Sequence, residues 1–338
     1  MKFSLRRIWA VILVRNREFY RDLGALGWVI LFPLVMVIAF GYIFDLDKTE
    51  DYKVGYWGDV RPQSIPHIKW IQYQSQQQSL EKLKLQKIDA AMTVGQKPPI
   101  VWFAKGNPRS KMTREILHLH LLPKKPIPFY AEELEGRQMS YIEWLFPGII
   151  NLNIMFMGLW GVGWVIVRQR KLGILKRLKA SPLTAFEYLL AQMISRLWVM
   201  VTSTILVTTA AVLIYPFDFV GSFLETLFVF VLGCLALSSI GLVFAARISS
   251  EELCNGLLNF ITYPIMFVSE IWFSLEGASP LVKKIATFSP LWHMTQAMRK
   301  ILYEGGSLWA VKESLFILIL IFIFFTTLGS ILFKWNSE

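Results

Sequence analysis

Residues 168–179 read Arg168-Gln169-Arg170-Lys171-Leu172-Gly173-Ile174-Leu175-Lys176-Arg177-Leu178-Lys179, six positive charges with no acid, set between two strongly apolar segments. Lys and Arg beside a membrane span are retained on the cytoplasmic side, so a loop of this kind fixes topology. It runs into Ala180-Ser181-Pro182, a helix-start signal, and so suits a short ordered helix. Two roles are open to it. An anchor on anionic lipid would gain about 1 kcal/mol per charge. A docking element would also need an apolar face, and the interleaved Gly173, Ile174, Leu175 and Leu178 favour docking.

Other residues invite chemistry less strongly. Glu270 is an acid in an apolar run, which costs about 3 kcal/mol and usually faces protein or water. It could gate or line a transport path, or sit hydrated near an outer boundary marked by Trp272 and Pro280. Asn151 and Asn153 stand beside Met155, Phe156 and Met157. Amides inside a span seek partners across helices, and Met supports promiscuous apolar contacts. That face suits either an amphipathic substrate or plain helix packing. His118 and His120 diverge by about 200° on a helix, with no Cys nearby, so no metal site is expected. His67 and His293 are isolated. A nucleotide-hydrolysing site needs a Gly-x-x-x-x-Gly-Lys-Ser/Thr loop. Gly106-Asn107-Pro108-Arg109-Ser110-Lys111 lacks the second Gly, so no catalytic residue is expected and energy must come from a partner or a gradient.

The elements that position these residues are membrane helices. The chain is 54% hydrophobic and 17% charged, with a mean hydropathy of +0.47, against about 25% charged in soluble domains. Its net charge of +11 tempts a nucleic-acid reading, but much of the basic excess flanks apolar spans, where the positive-inside rule accounts for it. Six segments approach the ~20 apolar residues a span needs: about 23–44, 144–167, 188–215, 223–246, 256–275 and 314–333. Gly233, Ser238, Ser239 and Gly241 in the fourth would allow close helix approach. Cys234 and Cys254 lie in or beside apolar segments, so no disulfide staples the polar part of the chain.

The short apolar run from Ile8 to Val14 mimics a signal peptide, but charged residues follow where a cleavage site should be. Residues 1–22 are therefore expected to hold a cytoplasmic amphipathic helix at 4–21, in which Arg6, Arg7, Arg15 and Arg17 snorkel at the interface. Basic flanks then place both termini on the cytoplasmic side and residues 45–140 outside. That stretch alternates strand character (54–57, 68–73, 90–94, 100–104) with helical spacing (79–87, 110–121), which reads as a small α/β domain. Pro123, Pro126 and Pro128 punctuate its return to the membrane. Residues 276–309 are too apolar for a free loop and too polar to span, which suits a hairpin dipping back at the outer interface.

With these pieces in place the chain resembles the permease subunits of type-2 ABC exporters, in the branch with an outer domain between spans one and two. Trp144-Leu145-Phe146-Pro147-Gly148-Ile149 and Asn151-Leu152-Asn153-Ile154-Met155-Phe156 carry the likeness in span two. Arg170 to Pro182 matches the family's Arg-Lys-x-Gly-Thr/Ile-Leu-x-Arg-Leu-x-x-Ser/Thr-Pro loop, its most specific feature. Lys87-Ile88-Asp89-Ala90-Ala91-Met92 looks like the outer-domain strand entry, and Pro280 to Gly305 like the helices after span five. The chain departs from the pattern in a short outer domain and at Glu270, where many relatives have Gly.

The expected fold class is a polytopic α-helical membrane protein. It has six transmembrane helices, an inserted small α/β extracytoplasmic domain (45–140), an N-terminal amphipathic helix and a re-entrant helical hairpin (276–309) before the last span. The resemblance implies a non-catalytic half-transporter in a bacterial inner membrane, working with two separate ATPase subunits and a second permease copy or paralogue. The chain itself would bind no cofactor, ATP and Mg being held by the partner. Residues 168–187 would form the coupling loop, with Arg170, Lys171, Gly173, Leu175, Arg177, Leu178, Ser181 and Pro182 engaging the ATPase. The substrate path would include Asn151, Asn153, Met155, Phe156 and Glu270, for a hydrophobic or amphipathic cargo such as a drug, lipid or glycoconjugate. A periplasmic adaptor could join, membrane lipids surround it, and no nucleic acid is involved. Two other classes compete. One is a proton-coupled secondary transporter using Glu270, which would show internal repeats that are not seen. The other is a membrane-anchored receptor, for which six spans are excessive.

Overall fold

The structure is a computed structural model that describes residues 4–44, 52–58, 62–94, 99–105, 107–121, 130–134, 139–215 and 217–335. The expected return through Pro123, Pro126 and Pro128, Gly106 of the rejected phosphate loop, and the side chain of His120 lie outside the described residues. The chain divides into two units, 1–42 with 142–273 and 281–338, and 43–141 with 274–280.

In chain order, α1 (Leu5–Arg21) and α2 (Leu23–Phe44) lead into the inserted unit. There β1 (Tyr52–Trp57), β2 (Ile68–Tyr73), α3 (Gln76–Lys84), β3 (Ala90–Thr93), β4 (Ile100–Ala104), α4 (Pro108–Leu121) and β5 (Tyr130–Leu134) follow. The return is α5 (Tyr141–Gly158), a π-helical turn (Leu159–Trp164) and α6 (Val165–Lys171), then α7 (Ile174–Lys179) and α8 (Ala185–Ile214). The remaining helices are α9 (Phe223–Arg247), α10 (Glu251–Val268), α11 (Pro280–Ala286), α12 (Pro290–Leu302) and α13 (Lys312–Leu332).

The inserted unit is a five-stranded sheet of order β2-β1-β3-β4-β5, parallel except where β3 meets β4. Its strands β3 and β4 are apolar on both faces because both faces are covered. Leu117 of α4 packs with Val54, Met92 and Phe103 on one side, and Leu83 of α3 packs with Ile71, Ala91 and Trp102 on the other. Asp89 ties the layers together, accepting from the Lys53 amide at 2.7 Å and from Arg109 Nε at 3.1 Å. The strands expected between 54 and 104 and the helix at 110–121 are present, while the helix expected at 79–87 lies three residues earlier, at Gln76–Lys84. The strand β5 follows the three prolines and was not anticipated.

Among the described residues, five helices are long and apolar enough to cross a membrane: Leu23–Gly41, Tyr141–Lys171, Ala185–Ile214, Phe223–Arg247 and Leu308–Leu332. The predicted fifth span differs from expectation. Helix α10 begins at Glu251, where Ser250 caps it by accepting from the Leu253 amide, and ends at Val268 instead of continuing to Leu275. Its 18 residues rise about 27 Å. The chain breaks because Glu270 adopts a left-handed φ of 54°, a conformation that stops a helix and favours glycine. The expected hairpin region contains α11 and α12, and Ser289 caps α12 by accepting from the Trp292 amide. The small residues of α9 do allow close approach, since a Cβ on Gly241 would lie 3.0 Å from the Gly158 carbonyl oxygen.

Candidate coupling site

The basic loop folds as two helical pieces hinged at Gly173, whose φ of 71° is open to glycine without strain. The hinge sets which of its residues face inward. Leu175 is fully buried beside Val162, Ile166, Tyr188 and Leu242, and Leu178 packs on the same cluster. Arg170 is also inward, at 4% exposure. Its Nη1 donates to the Ile248 carbonyl at 2.6 Å, and its Nη2 to those of Ala245 at 2.7 Å and Lys334 at 2.8 Å. These are the loose carbonyls at the C-terminus of α9 and beyond α13, where a cation is favoured. Arg170 and Leu175, both expected to engage the ATPase, are buried and fasten the loop to the bundle.

The outward face is what remains. Leu172 is 58% exposed, and Lys171, Lys176, Arg177, Lys179, Ser181 and Pro182 are exposed with it. Lys171 also pairs with Glu251 at 3.3 Å. Leu172 and Phe186, 58% and 56% exposed, are the large apolar side chains on this basic face, and the sequence reading does not single them out.

The far end of the loop is fastened by Glu187. Thr184 and Glu187 form a reciprocal capping box at the start of α8. The fully buried Glu187 also accepts from Arg7 Nη2 at 2.7 Å and from the Ser4 amide at 2.8 Å. Arg7 Nη1 donates to the Pro182 carbonyl at 2.7 Å. Sequence reasoning missed Glu187, although Thr184-Ala185-Phe186-Glu187 is a legible capping-box pattern.

Helix α1 belongs to the same site. Arg15 Nε donates to Gln192 at 2.8 Å, Ser195 Oγ to Asn16 at 2.6 Å, and Ile8 and Ile12 bury against Ala191. The pairs advance together along both helices, so α1 runs parallel to the first half of α8. Of the four arginines expected to snorkel, Arg7 and Arg15 turn towards α8 while Arg6 and Arg17 are exposed.

The residues assigned to a substrate path do not converge on one cavity. Asn151 Nδ2 donates to Thr295 Oγ1 on α12 at 3.2 Å, while Asn153 Nδ2 donates to the Val29 carbonyl on α2 at 2.9 Å. Met155 is fully buried and Phe156 lies against Trp160, ring centroids 5.4 Å apart. Glu270 accepts from Gln296 Nε2, and its carbonyl accepts from Arg299 Nη2 at 2.7 Å. Arg299 stacks 3.8 Å over Trp144 and donates to its carbonyl at 2.9 Å. Glu270 is thus tied at a helix end, not suspended in mid-span. A separate apolar cavity of about 130 Å³ lies between α5, α8, α9 and α12, lined by Phe146, Ile150, Thr204, Leu227 and Met298 among others. Among the described residues no group of three or more His, Cys, Asp or Glu could hold a metal.

Comparison with known proteins matches residues 24–331 to the model of the family described as ABC-2 family transporter protein. Two curated relatives, each named probable multidrug ABC transporter permease YbhR, come from Escherichia coli K12 and O157:H7. Each is 24% identical over 205 residues, covering 60% of this chain. The match spans 56% of the relatives' own length.

Proposed function

The chain belongs to the ABC-2 transporter family, and on that premise we propose that it is the membrane-spanning permease of an ATP-driven exporter whose 168–187 loop receives the motion of a separate ATPase. One observation carries this reading: the loop is anchored from within by Arg170, Leu175 and Glu187, yet presents Leu172, Lys176, Arg177 and Lys179 outward. A rigid element that is apolar and basic on its free face is what a docking helix requires. Helix α1, joined to it through Arg7, forms a second wall of the same receiving surface.

The full assembly is two permeases, a second copy or a paralogue beside this chain, with two ATPases holding ATP and Mg. Helix α10 counts as a short fifth span and α13 as the sixth, both termini face the cytoplasm, and the membrane is the bacterial inner membrane. The inserted α/β unit lies outside, where it offers a place for an adaptor. The cargo is hydrophobic or amphipathic, in keeping with the apolar cavity beside Phe146 and with the buried Asn151 Oδ1, which has no partner among the described residues. The multidrug role printed for the relatives agrees with such a cargo. A proton carrier is not favoured, because Glu270 is held by Gln296 and α12 at a helix end.

The test is isolation of the chain from its native membrane followed by an ATP hydrolysis assay. An ATPase that co-purifies with the native chain and is lost from the Leu172→Asp, Arg177→Glu variant supports the reading. A chain that carries no ATPase but supports proton-driven flux in vesicles would replace it with secondary transport.

A further inference from the structure

Arg196 has no role in the coupling site, yet it is the one cation set well inside α8. Its guanidinium rests against the π-helical turn of the preceding span. A Cβ added to Gly161 would lie 2.0 Å from Arg196 Cζ and 2.1 Å from Nε and Nη2, so only glycine leaves room for it. The Phe19 ring of α1 lies 5.4 Å from Cζ. Among the described residues no hydrogen-bond acceptor reaches the guanidinium, which feels the charges of Glu18 and Arg15 on α1 through space. The acid on the neighbouring face of α1, Glu18, is already paired with Arg15. Arg carries five N–H donors in a planar fork, so a guanidinium held by ring and backbone with no acceptor for its edge is prepared for an anion. Single π-helical turns often mark functional positions.

Depth decides which anion. Helix α8 has 30 residues and rises about 45 Å, more than the ~30 Å hydrocarbon core needs. Counting about 20 residues back from Ile214 places the membrane boundary near residue 195, on the side of the coupling loop. The neighbouring Trp198 is exposed, as an interfacial aromatic would be. Arg196 therefore lies at headgroup level.

We propose that the Arg196 guanidinium, seated against Gly161 and Phe19, binds the anionic headgroup of an amphipathic molecule in the leaflet on the coupling-loop side. This rests on the reading of the chain as a membrane-spanning permease and narrows its cargo class to amphiphiles bearing phosphate or carboxylate.

The purified complex can be titrated by native mass spectrometry with phosphatidylglycerol, phosphatidylcholine of the same chains, and glycerol phosphate. The native protein is expected to prefer phosphatidylglycerol about fivefold, the effect of one Arg at an anionic surface. Arg196→Gln should abolish the preference and Arg196→Lys should keep part of it. Gly161→Ala, which displaces the guanidinium without removing its charge, should weaken it and serves if Arg196→Gln fails to fold. An equal preference in the native protein and Arg196→Gln would overturn the proposal. So would glycerol phosphate competing as well as the lipid, which would make the site one for a soluble anion. Because binding is read without ATP or flux, failure here leaves the permease reading standing, whereas loss of that reading would show in ATPase co-purification.

Discussion

Arg7 Nη2 donates to Glu187 Oε1 at 2.7 Å, across 180 residues of sequence, while Arg7 Nη1 holds the Pro182 carbonyl at 2.7 Å. One guanidinium thus joins the first helix, the end of the coupling loop and the start of α8. Glu187 is a capping residue for α8 and the counter-ion of α1 at once. Arg7→Ala and Glu187→Gln should each lower ATP-driven transport while leaving membrane insertion intact. The double variant should be no worse than the more severe single one, because both remove the same link. Additive losses in a double-mutant cycle would show that the two residues act separately.

Arg170 should behave differently from Arg177, although the sequence sets both in one basic run. Arg170→Met would orphan the Ile248, Ala245 and Lys334 carbonyls, at a cost on the order of 3 kcal/mol. Lower yield and an earlier thermal transition are expected. Arg177→Glu, on the exposed face, should leave thermal stability unchanged. A stable Arg170→Met protein would contradict the anchoring role.

The left-handed backbone at Glu270 makes its substitutions predictable. Glu270→Gly and Glu270→Asn should fold, since both residues accept φ near 54°. Glu270→Val should be destabilised by about 1–2 kcal/mol, because a β-branched residue is strained there. Glu270→Gln should leave the pH profile of transport unchanged. A profile shifted in that variant would return Glu270 to the substrate path.

In the inserted unit, Glu276 pairs with Lys82 at 3.0 Å and accepts from the Tyr73 hydroxyl at 3.4 Å. Burial, and then the Glu276 carboxylate, push the Tyr73 phenol above its ordinary value. A raised folded-state value means the folded unit favours the protonated phenol. That contribution is complete below about pH 10 and is lost as the pH rises beyond it. Tyr73→Phe should therefore flatten the alkaline limb of the unit's stability, measured by circular dichroism. An unchanged limb would show that Tyr73 plays no part in it.

Helices at 23–44, 185–214 and 223–247 were legible because a span must be apolar for about 20 residues whatever it packs against. The strands between 52 and 104 were legible from β-branched and aromatic runs. The strand Tyr130–Leu134 was not, because its Glu132 and Glu133 carry no alternation and its pairing with Ile100–Ala104 is non-local. The break after Val268 was hidden because apolar residues continue to Leu275 across it. Within the loop, Arg170, Leu175 and Arg177 look equivalent in one dimension. Which of them turns inward depends on the hinge at Gly173 and on carbonyls of α9 more than 70 residues away. Glu187 and Arg196 were missed for the same reason, each being defined by a partner on a distant helix.

The central claim is that the exposed face of the loop, and not its buried anchors, receives the ATPase. A photo-crosslinking residue placed at 176, 177 or 172 in turn, and at 175 as the buried control, tests it in intact membranes. The account predicts one covalent adduct with the ATPase subunit from the three exposed positions, lost when ATP turnover is abolished by removing the partner, and none from 175. Adducts formed equally from 175, or absent from all three exposed positions while transport continues, would contradict it.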